Sequence, residues 1–386
     1  MPDRDVFIIS AVRTPIGLGR PADAKRGRPA GALYPFQPVD LAAAVLKEAV
    51  RRAGIEASRV EDVLWGVVTP IADQGGNLAR LAVLKAGSPV SVPGVQLNRM
   101  CGSGQQAIHF GAQAILAGDA DIVIAGGTEM MSHQPLGADY PGEWPETGHK
   151  LVHQGESAEL MAEKWSLSRT EMDEYAFQSH VRAGLAIRNG YFDKQILPLV
   201  LSDGTQFNVD EGVRRSPDRE ALAALKPVFR RNGLITAGNA SQVSDGAAAL
   251  VLASAQAVGR YNLMPMARID TRVVVGSDPT LMLDGPIPAT IRALKKSGLA
   301  LDDMDVIEIN EAFAAVVLAW AREFAPDMQK VNPNGGASAH GHPLGATGAI
   351  LMTKLVYELE RRKARYGLQC MCIGHGMATA TIIERV

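Results

Sequence analysis

Cys101 is the residue of this sequence whose surroundings best suit a reactive group. It lies between Met100 and Gly102, and an apolar, helix-like segment begins directly after it, at Gly104. Backbone N–H groups at the start of a helix create a positive partial field, which favours the thiolate form of a nearby cysteine. Gly102 and Gly104 would also let a substrate approach the backbone closely. The pattern predicts a nucleophilic cysteine; a buried structural cysteine is the alternative.

Three further polar segments, two of them rich in glycine, stand where predicted strands end. One covers residues 332–348 and contains His340 and His342; the others cover residues 310–314 and residues 372–376. In α/β sheets, ligands gather at the carboxyl ends of the strands. Together with the segment around Cys101, these segments predict a single site.

Metal binding is a rival interpretation of the same residues. Cys370, Cys372, His340 and His342 offer four ligands, and alternate residues of a strand point to the same face. Zinc sites, however, usually separate their cysteines by two or more residues. We therefore predict a site without a metal ion and without a permanently bound cofactor.

Apolar runs that suit strands alternate with helical patterns, which predicts an α/β fold. The pattern is repeated, because a helix, a glycine and a strand at residues 40–68 return at residues 291–309. The next pair matches as well, with a helix and a strand at 104–127 and again at 347–374. We interpret this as an internal duplication; the alternative is the general similarity of α/β units.

The stretch between the two halves has a different character. It is rich in proline, glycine, histidine and charge, and Ser168 to Glu171 form a capping-box pattern that predicts a helix start. These features predict an N-terminal half at 1–130 with 244–263, an inserted loop domain at 131–243 and a C-terminal half at 264–386.

Composition excludes few classes of function. The chain has 386 residues, of which 47% are hydrophobic and 21% charged, and its net charge of -2 gives no support to a nucleic-acid surface. No apolar run is long enough to span a membrane. Three cysteines are too few for a disulfide framework, which favours a reducing, cytoplasmic location.

The motifs jointly resemble the active-site motifs of the thiolase family, in that family's order. They are Cys-x-Ser-Gly at 101–104, Asn-Glu-Ala-Phe-Ala at 310–314, Gly-His-Pro-Leu-Gly-Ala-Thr-Gly at 341–348 and Cys-Ile-Gly at 372–374. The resemblance covers nearly the whole chain. It implies two duplicated five-layered α/β halves with an inserted loop domain, coenzyme A as a substrate and a homotetramer.

The resemblance also implies a role for each motif residue. Cys101 resembles the acylated nucleophile, His342 the base that activates it, and Cys372 the second cysteine, which moves a proton to and from the acetyl carbon. Asn310 resembles the residue that holds a water in the first oxyanion hole. The backbone N–H groups of Cys101 and Gly374 would form the second hole.

Coenzyme A is expected on the inserted domain. Ser241 resembles a serine that contacts CoA, Phe229 a pocket-wall aromatic next to Lys226, Arg214 a basic residue near the nucleotide, and His153 a histidine near the pantetheine end. Ordinary core packing is an equal alternative for Phe229.

The chain departs from the family pattern at Gln154, where methionine is common, at His375, where glycine is common, and at His340, where an apolar residue is usual. All three are expected to reshape the acyl pocket. For His375, a position facing a subunit contact or solvent is the alternative to a position in the pocket.

The implied function is CoA-dependent thiolysis of 3-oxoacyl-CoA, or the reverse condensation, through an acyl-Cys101 intermediate. The pattern around Cys101 favours bacterial degradative thiolases, including those of steroid and ring catabolism. A ketoacyl-synthase-type condensing enzyme and a non-catalytic binder of acyl-CoA or lipid are the alternatives.

Overall fold

The computed structural model describes residues 5–386. The strands are β1 Val6–Arg13, β2 Gly17–Leu18, β3 Asp62–Gly66, β4 Val95–Leu97, β5 Ile122–Met130, β6 Leu199–Val200, β7 Gln206–Phe207, β8 Ser244–Ser254, β9 Ala267–Gly276, β10 Val306–Ile309, β11 Tyr366–Ile373 and β12 Met377–Arg385. The helices are α1 Pro38–Ala53, α2 Leu78–Lys85, α3 Ser103–Ala117, α4 Gln154–Lys164, α5 Arg169–Arg188, α6 Arg219–Ala223, α7 Ala255–Tyr261, α8 Pro286–Ser297, α9 Ala314–Phe324, α10 Ala337–His340 and α11 Leu344–Arg362.

The predicted α/β fold and its internal repeat are confirmed by the strand pairing. In one half β3 pairs parallel with β5, β5 antiparallel with β8, and β8 antiparallel with β1. In the other half β10, β11, β12 and β9 repeat these three pairings in the same order. A short antiparallel contact of β1 with β9 joins the halves into one mixed sheet of ten strands within residues 5–386.

The helices pack against this sheet in layers. Helices α1 and α2 cover the outer face of the first half, and α8 and α9 pack on the second half. Between the halves, α3 and α11 share an apolar core with strands of both. The five layers are thus completed by the two halves together. Gly54 and Gly298 end α1 and α8 with positive φ angles of 67° and 76°, which glycine adopts without a Cβ penalty.

The excursion leaves the first half at β5 and returns to it at β8. Met130 and Asp245 are register partners, so the chain returns to the sheet at the strand end from which it left. Within the excursion, the predicted capping box is confirmed, because the Ser168 side chain accepts from the Glu171 N–H and the Glu171 carboxylate accepts from the Ser168 N–H. The three-part division of the chain stays a prediction. Among residues 5–386, no helix is both long and apolar enough to cross a membrane.

Candidate active site

Cys101 lies in a tight turn that leads into α3. The Ser103 hydroxyl donates to the Met100 carbonyl at 2.7 Å and accepts from the Arg99 N–H at 2.9 Å, and Met100 itself has a left-handed φ of 45°. The neighbouring glycines serve protein packing. A Cβ on Gly102 would meet the Ile373 side chain, and one on Gly104 would lie 2.8 Å from the carbonyl oxygen of residue 345. Close approach of a substrate to these glycines stays a prediction.

The environment of Cys101 favours the neutral thiol. Burial raises its pKa to about 11, although the N–H groups of Gly374 and Cys101 and the Gln154 side chain donate to the sulfur and act in the opposite direction. The charge of buried Glu129 adds to the increase. The position before a helix was expected to favour the thiolate, but loss of hydration is the larger effect here. The cysteine therefore needs a base.

His342 is the base candidate, and its hydrogen bonds fix which nitrogen carries the proton. Its Nδ1 lies 2.6 Å from the Thr347 hydroxyl, which donates to the Pro343 carbonyl at 2.8 Å. Since the hydroxyl proton is used there, Nδ1–H donates to the hydroxyl oxygen and Nε2 carries the acceptor lone pair. Burial lowers the pKa of His342 to about 4, so the ring is neutral near pH 7.

Asn310 connects the imidazole to the second cysteine. Its Nδ2 lies 3.4 Å from His342 Nε2, and its Oδ1 is buried without a hydrogen-bond partner among residues 5–386. Burial raises the pKa of Cys372 to about 12, with a further increase from Cys101, while the Asn310 side chain and the Ala312 N–H donate to the sulfur. The arrangement places two thiols, a neutral imidazole and the amide oxygen of Asn310, which has no partner among residues 5–386, in one buried space.

Two buried carboxylates that the sequence analysis missed hold the loops of the site. Glu129 accepts N–H donors from Val68 and Gly345, both at 2.8 Å. Glu311 accepts from the Ser338 N–H at 3.0 Å and from the hydroxyls of Tyr175 and Ser179, both at 2.8 Å. The sequence signal for both was an acidic residue near the end of an apolar strand, where a charge exposed to water is not expected.

A cavity of about 170 Å³ opens beside His342, and its lining includes Phe229, Ser241 and His153. The Phe229 ring packs on His153 with centroids 5.1 Å apart. The structure thus brings three of the five CoA candidates together at the imidazole. It does not bring Arg214 and Lys226 into this lining, and both are exposed.

Comparisons with known proteins agree with this geometry. The sequence profile of the thiolase N-terminal domain matches residues 6–256, and that of the thiolase C-terminal domain matches residues 263–385. The chain belongs to the thiolase family. It is 48% identical to a steroid 3-ketoacyl-CoA thiolase of Mycobacterium tuberculosis, over 99% of this chain and 94% of that one. It is 43% identical to a 3-oxoadipyl-CoA/3-oxo-5,6-dehydrosuberyl-CoA thiolase of Escherichia coli, over 99% and 100%.

Solved thiolase structures share the whole fold. Human mitochondrial 3-ketoacyl-CoA thiolase superposes with a TM-score of 0.90 at 39% identity, covering 99% of each chain. The same human enzyme in complex with CoA gives 0.89 at 38% identity, covering 99% of this chain and 98% of that one. The predicted family, fold and enzyme class are confirmed, and neither the condensing enzyme nor the non-catalytic binder is favoured.

Two of the three departures from the thiolase pattern lie at the site. Gln154 begins α4 and donates to the Cys101 sulfur. His375 follows β11 with a left-handed φ of 62° and lines a second cavity, of about 380 Å³. This cavity shares Leu136, His153 and Gln154 with the smaller one, so the two meet at the start of α4.

His340 does not line either cavity, and the expectation that it shapes the acyl pocket was wrong. Its Nδ1 lies 2.7 Å from Asp210 Oδ2 and its Nε2 lies 2.9 Å from the Asn334 carbonyl. Arg13 contacts the other oxygen of Asp210 at 2.7 Å, and all three charged or titratable side chains are buried. Although burial acts in the opposite direction, Arg13 and His340 hold the pKa of Asp210 well below its usual range.

The four ligands of the rival metal interpretation have separate surroundings. Cys370 Sγ lies 3.4 Å from the Thr290 hydroxyl, and both His340 nitrogens have protein partners. Within residues 5–386, no group of three or more His, Cys, Asp and Glu side chains is arranged to hold a metal ion.

Proposed function

We propose that this thiolase cleaves 3-oxoacyl-CoA with CoA, through an acyl intermediate on Cys101. The observation that carries the proposal is the contact of Asn310 Nδ2 with His342 Nε2 at 3.4 Å, in a site where the same side chain lowers the pKa of the Cys372 thiol. Thiolysis requires a nucleophile with its base. It also requires a separate acid that protonates the carbon of the leaving enolate. The site supplies these two sets of groups side by side.

In the first half-reaction, His342 Nε2 accepts the Cys101 proton while the sulfur attacks the 3-oxo carbon. The N–H groups of Cys101 and Gly374, which already point at this sulfur, stabilise the resulting oxyanion. Cleavage of the C2–C3 bond leaves the enolate of acetyl-CoA, and the Cys372 thiol protonates its carbon. A water on the orphaned Asn310 oxygen, together with the protonated His342, holds the enolate oxygen.

In the second half-reaction, the Cys372 thiolate takes the proton of the incoming CoA thiol. The CoA sulfur attacks the acyl-Cys101 thioester, Cys101 leaves as a thiolate, and His342 returns its proton. Every proton is conserved over the cycle. Since burial favours neutral Cys101 and neutral His342 in the free site, the first proton transfer is coupled to the attack itself.

CoA binds along the smaller cavity, with its thiol towards His342. Phe229, Ser241 and His153 line that cavity, and a related thiolase structure contains CoA. Arg214 and Lys226 stay candidates for the nucleotide end. A cytoplasmic location and a homotetramer also stay predictions.

Mass spectrometry of the protein after incubation with acetyl-CoA tests the proposal. We expect one acetyl group on the peptide that contains Cys101, and none in Cys101→Ala. Cys370→Ala is the matched control, because Cys370 is also a buried thiol with a raised pKa. An adduct on Cys370, or no thiolysis of acetoacetyl-CoA, would contradict the proposed function.

A further inference from the structure

Three aromatic side chains stand together in the lining of the larger cavity. The ring centroids of Tyr140 and Trp144 lie 5.1 Å apart at 62°, and those of Trp144 and His375 lie 5.0 Å apart at 71°. Edge-to-face contacts of this kind are favourable and fix the rings relative to one another. We call Tyr140, Trp144 and His375 the distal wall.

The backbone conformation of His375 points to a role for its ring. Its φ of 62° lies in the left-handed region, which residues other than glycine adopt only occasionally. Glycine is common at this place in the family, and glycine would remove the strain. Strained residues cluster at functional sites, and here the strained residue lines a cavity.

The distal wall also carries unused polar groups. Tyr140 and Trp144 are 37% and 44% exposed and His375 is half-buried, and none of the three makes a side-chain hydrogen bond with a protein group in residues 5–386, so each keeps an N–H or O–H that it can donate to a ligand. The rest of the cavity lining is mostly apolar and includes Leu136, Leu151, Val152 and Met282. An apolar cavity with a few donors grouped in its lining suits a ligand that is mostly apolar and carries an acceptor.

The same cavity reaches the nucleophile. Gly374 and Gln154 line it, and both donate to the Cys101 sulfur. The smaller cavity, proposed for CoA, meets it at Gln154 and His153. An acyl group on Cys101 can therefore extend away from CoA and towards the distal wall.

We propose that the larger cavity binds the acyl group and selects acyl chains whose far end carries an acceptor oxygen, a ketone or a carboxylate. His375 is then a specificity-determining residue. This inference rests on the proposed thiolase reaction and adds its substrate class.

The test compares kcat/KM for three 3-oxoacyl-CoAs of equal chain length that end in a methyl group, a methyl ketone or a carboxylate. Acetoacetyl-CoA is the reference, because its acyl group carries no oxygen beyond the 3-oxo group. The variants are His375→Gly and Trp144→Phe, which keeps a ring and removes the indole N–H. Trp165→Phe is the matched control, since its indole N–H donates to Glu323 outside both cavities.

We expect each wall variant to lower kcat/KM for oxygen-ended chains about tenfold relative to the methyl-ended chain, as for loss of one hydrogen bond. Cleavage of acetoacetyl-CoA should fall no more than cleavage of the methyl-ended chain. Loss for the carboxylate alone supports an anionic substrate, and equal loss for ketone and carboxylate supports a neutral acceptor. Equal factors for all chain ends, or a wild-type preference for the methyl end, overturn the inference. If acetoacetyl-CoA itself is not cleaved, the proposed function fails with it.

Discussion

Thr347→Val should impair catalysis without disturbing the fold. The Thr347 hydroxyl accepts from His342 Nδ1–H at 2.6 Å and donates to the Pro343 carbonyl at 2.8 Å. Valine has nearly the same shape but cannot accept a hydrogen bond. Nδ1–H would then be buried without a partner, and the tautomer with an unprotonated Nε2 would no longer be the more stable one.

The size of the effect follows from the burial of His342, which is only 4% exposed. An unsatisfied buried donor costs about 1–3 kcal/mol. If this cost falls on the reactive tautomer, the rate of Cys101 acylation should drop by roughly 5- to 150-fold, at about 1.4 kcal/mol for each factor of ten. The KM for CoA should stay close to that of the wild type, because Thr347 does not line the smaller cavity.

Thr353→Val provides the matched control. Thr353 is buried in the same helix, α11, and its hydroxyl donates to the Ala349 carbonyl at 2.8 Å, four residues earlier, as Thr347 does to Pro343. It differs in having no contact with the imidazole. Single-turnover acylation by acetyl-CoA, followed by rapid quench and mass spectrometry, measures the step directly, and thermal unfolding measures stability.

We expect similar Tm values for the two variants and slow acylation only in Thr347→Val. Equal acylation rates would refute the idea that Thr347 sets the tautomer of His342. A fall in Tm for Thr347→Val alone, with a normal acylation rate, would reduce Thr347 to a structural residue.

Cys372→Ala should still be acetylated on Cys101 but should release no acetyl-CoA from a 3-oxoacyl-CoA; loss of the acylation burst would contradict the proposed division of roles. Gln154→Met removes a donor to the Cys101 sulfur, so alkylation by iodoacetamide should require a higher pH; an unchanged or lower apparent pKa would count against that contact. Asp210→Asn should lower stability by about 3–5 kcal/mol by leaving buried Arg13 unpaired, measured by denaturant unfolding. In the wild type this contribution is present at neutral pH, because the pKa of Asp210 is lowered, and it is lost only in strong acid.

The sequence predicts the fold and the family well because the relevant signals are local. Gly54 and Gly298 end helices that carry the same apolar pattern, and each is followed by a strand, so the repeat is visible before any pairing is known. The motif around Asn310 stands at a strand exit in the structure, as its position after an apolar run indicates. Such features depend on spacing along the chain.

The failures concern properties that depend on burial and on distant partners. The pKa of Cys101 is raised because its whole surroundings exclude water, and a helix start does not reveal this. His340 looks like a neighbour of His342, yet it bonds to Asp210, 130 residues away. Trp144 lies in an irregular stretch with no periodic pattern, so its contact with His375 could not be expected.

The duplication explains how a single fold supplies both the chemistry and its support. Gly66 pairs with Gly127 in the first half, and Ile309 pairs with Cys370 in the second, at equivalent strand ends. Two residues further along, the first half has Glu129 and the second has Cys372. The thiol is placed for proton transfer, whereas the carboxylate accepts the Gly345 N–H in the catalytic loop and, by its charge, raises the pKa of Cys101. Equivalent positions thus differ in kind: one supplies the thiol that we propose moves a proton, and the other holds the loop of His342 and disfavours the Cys101 thiolate.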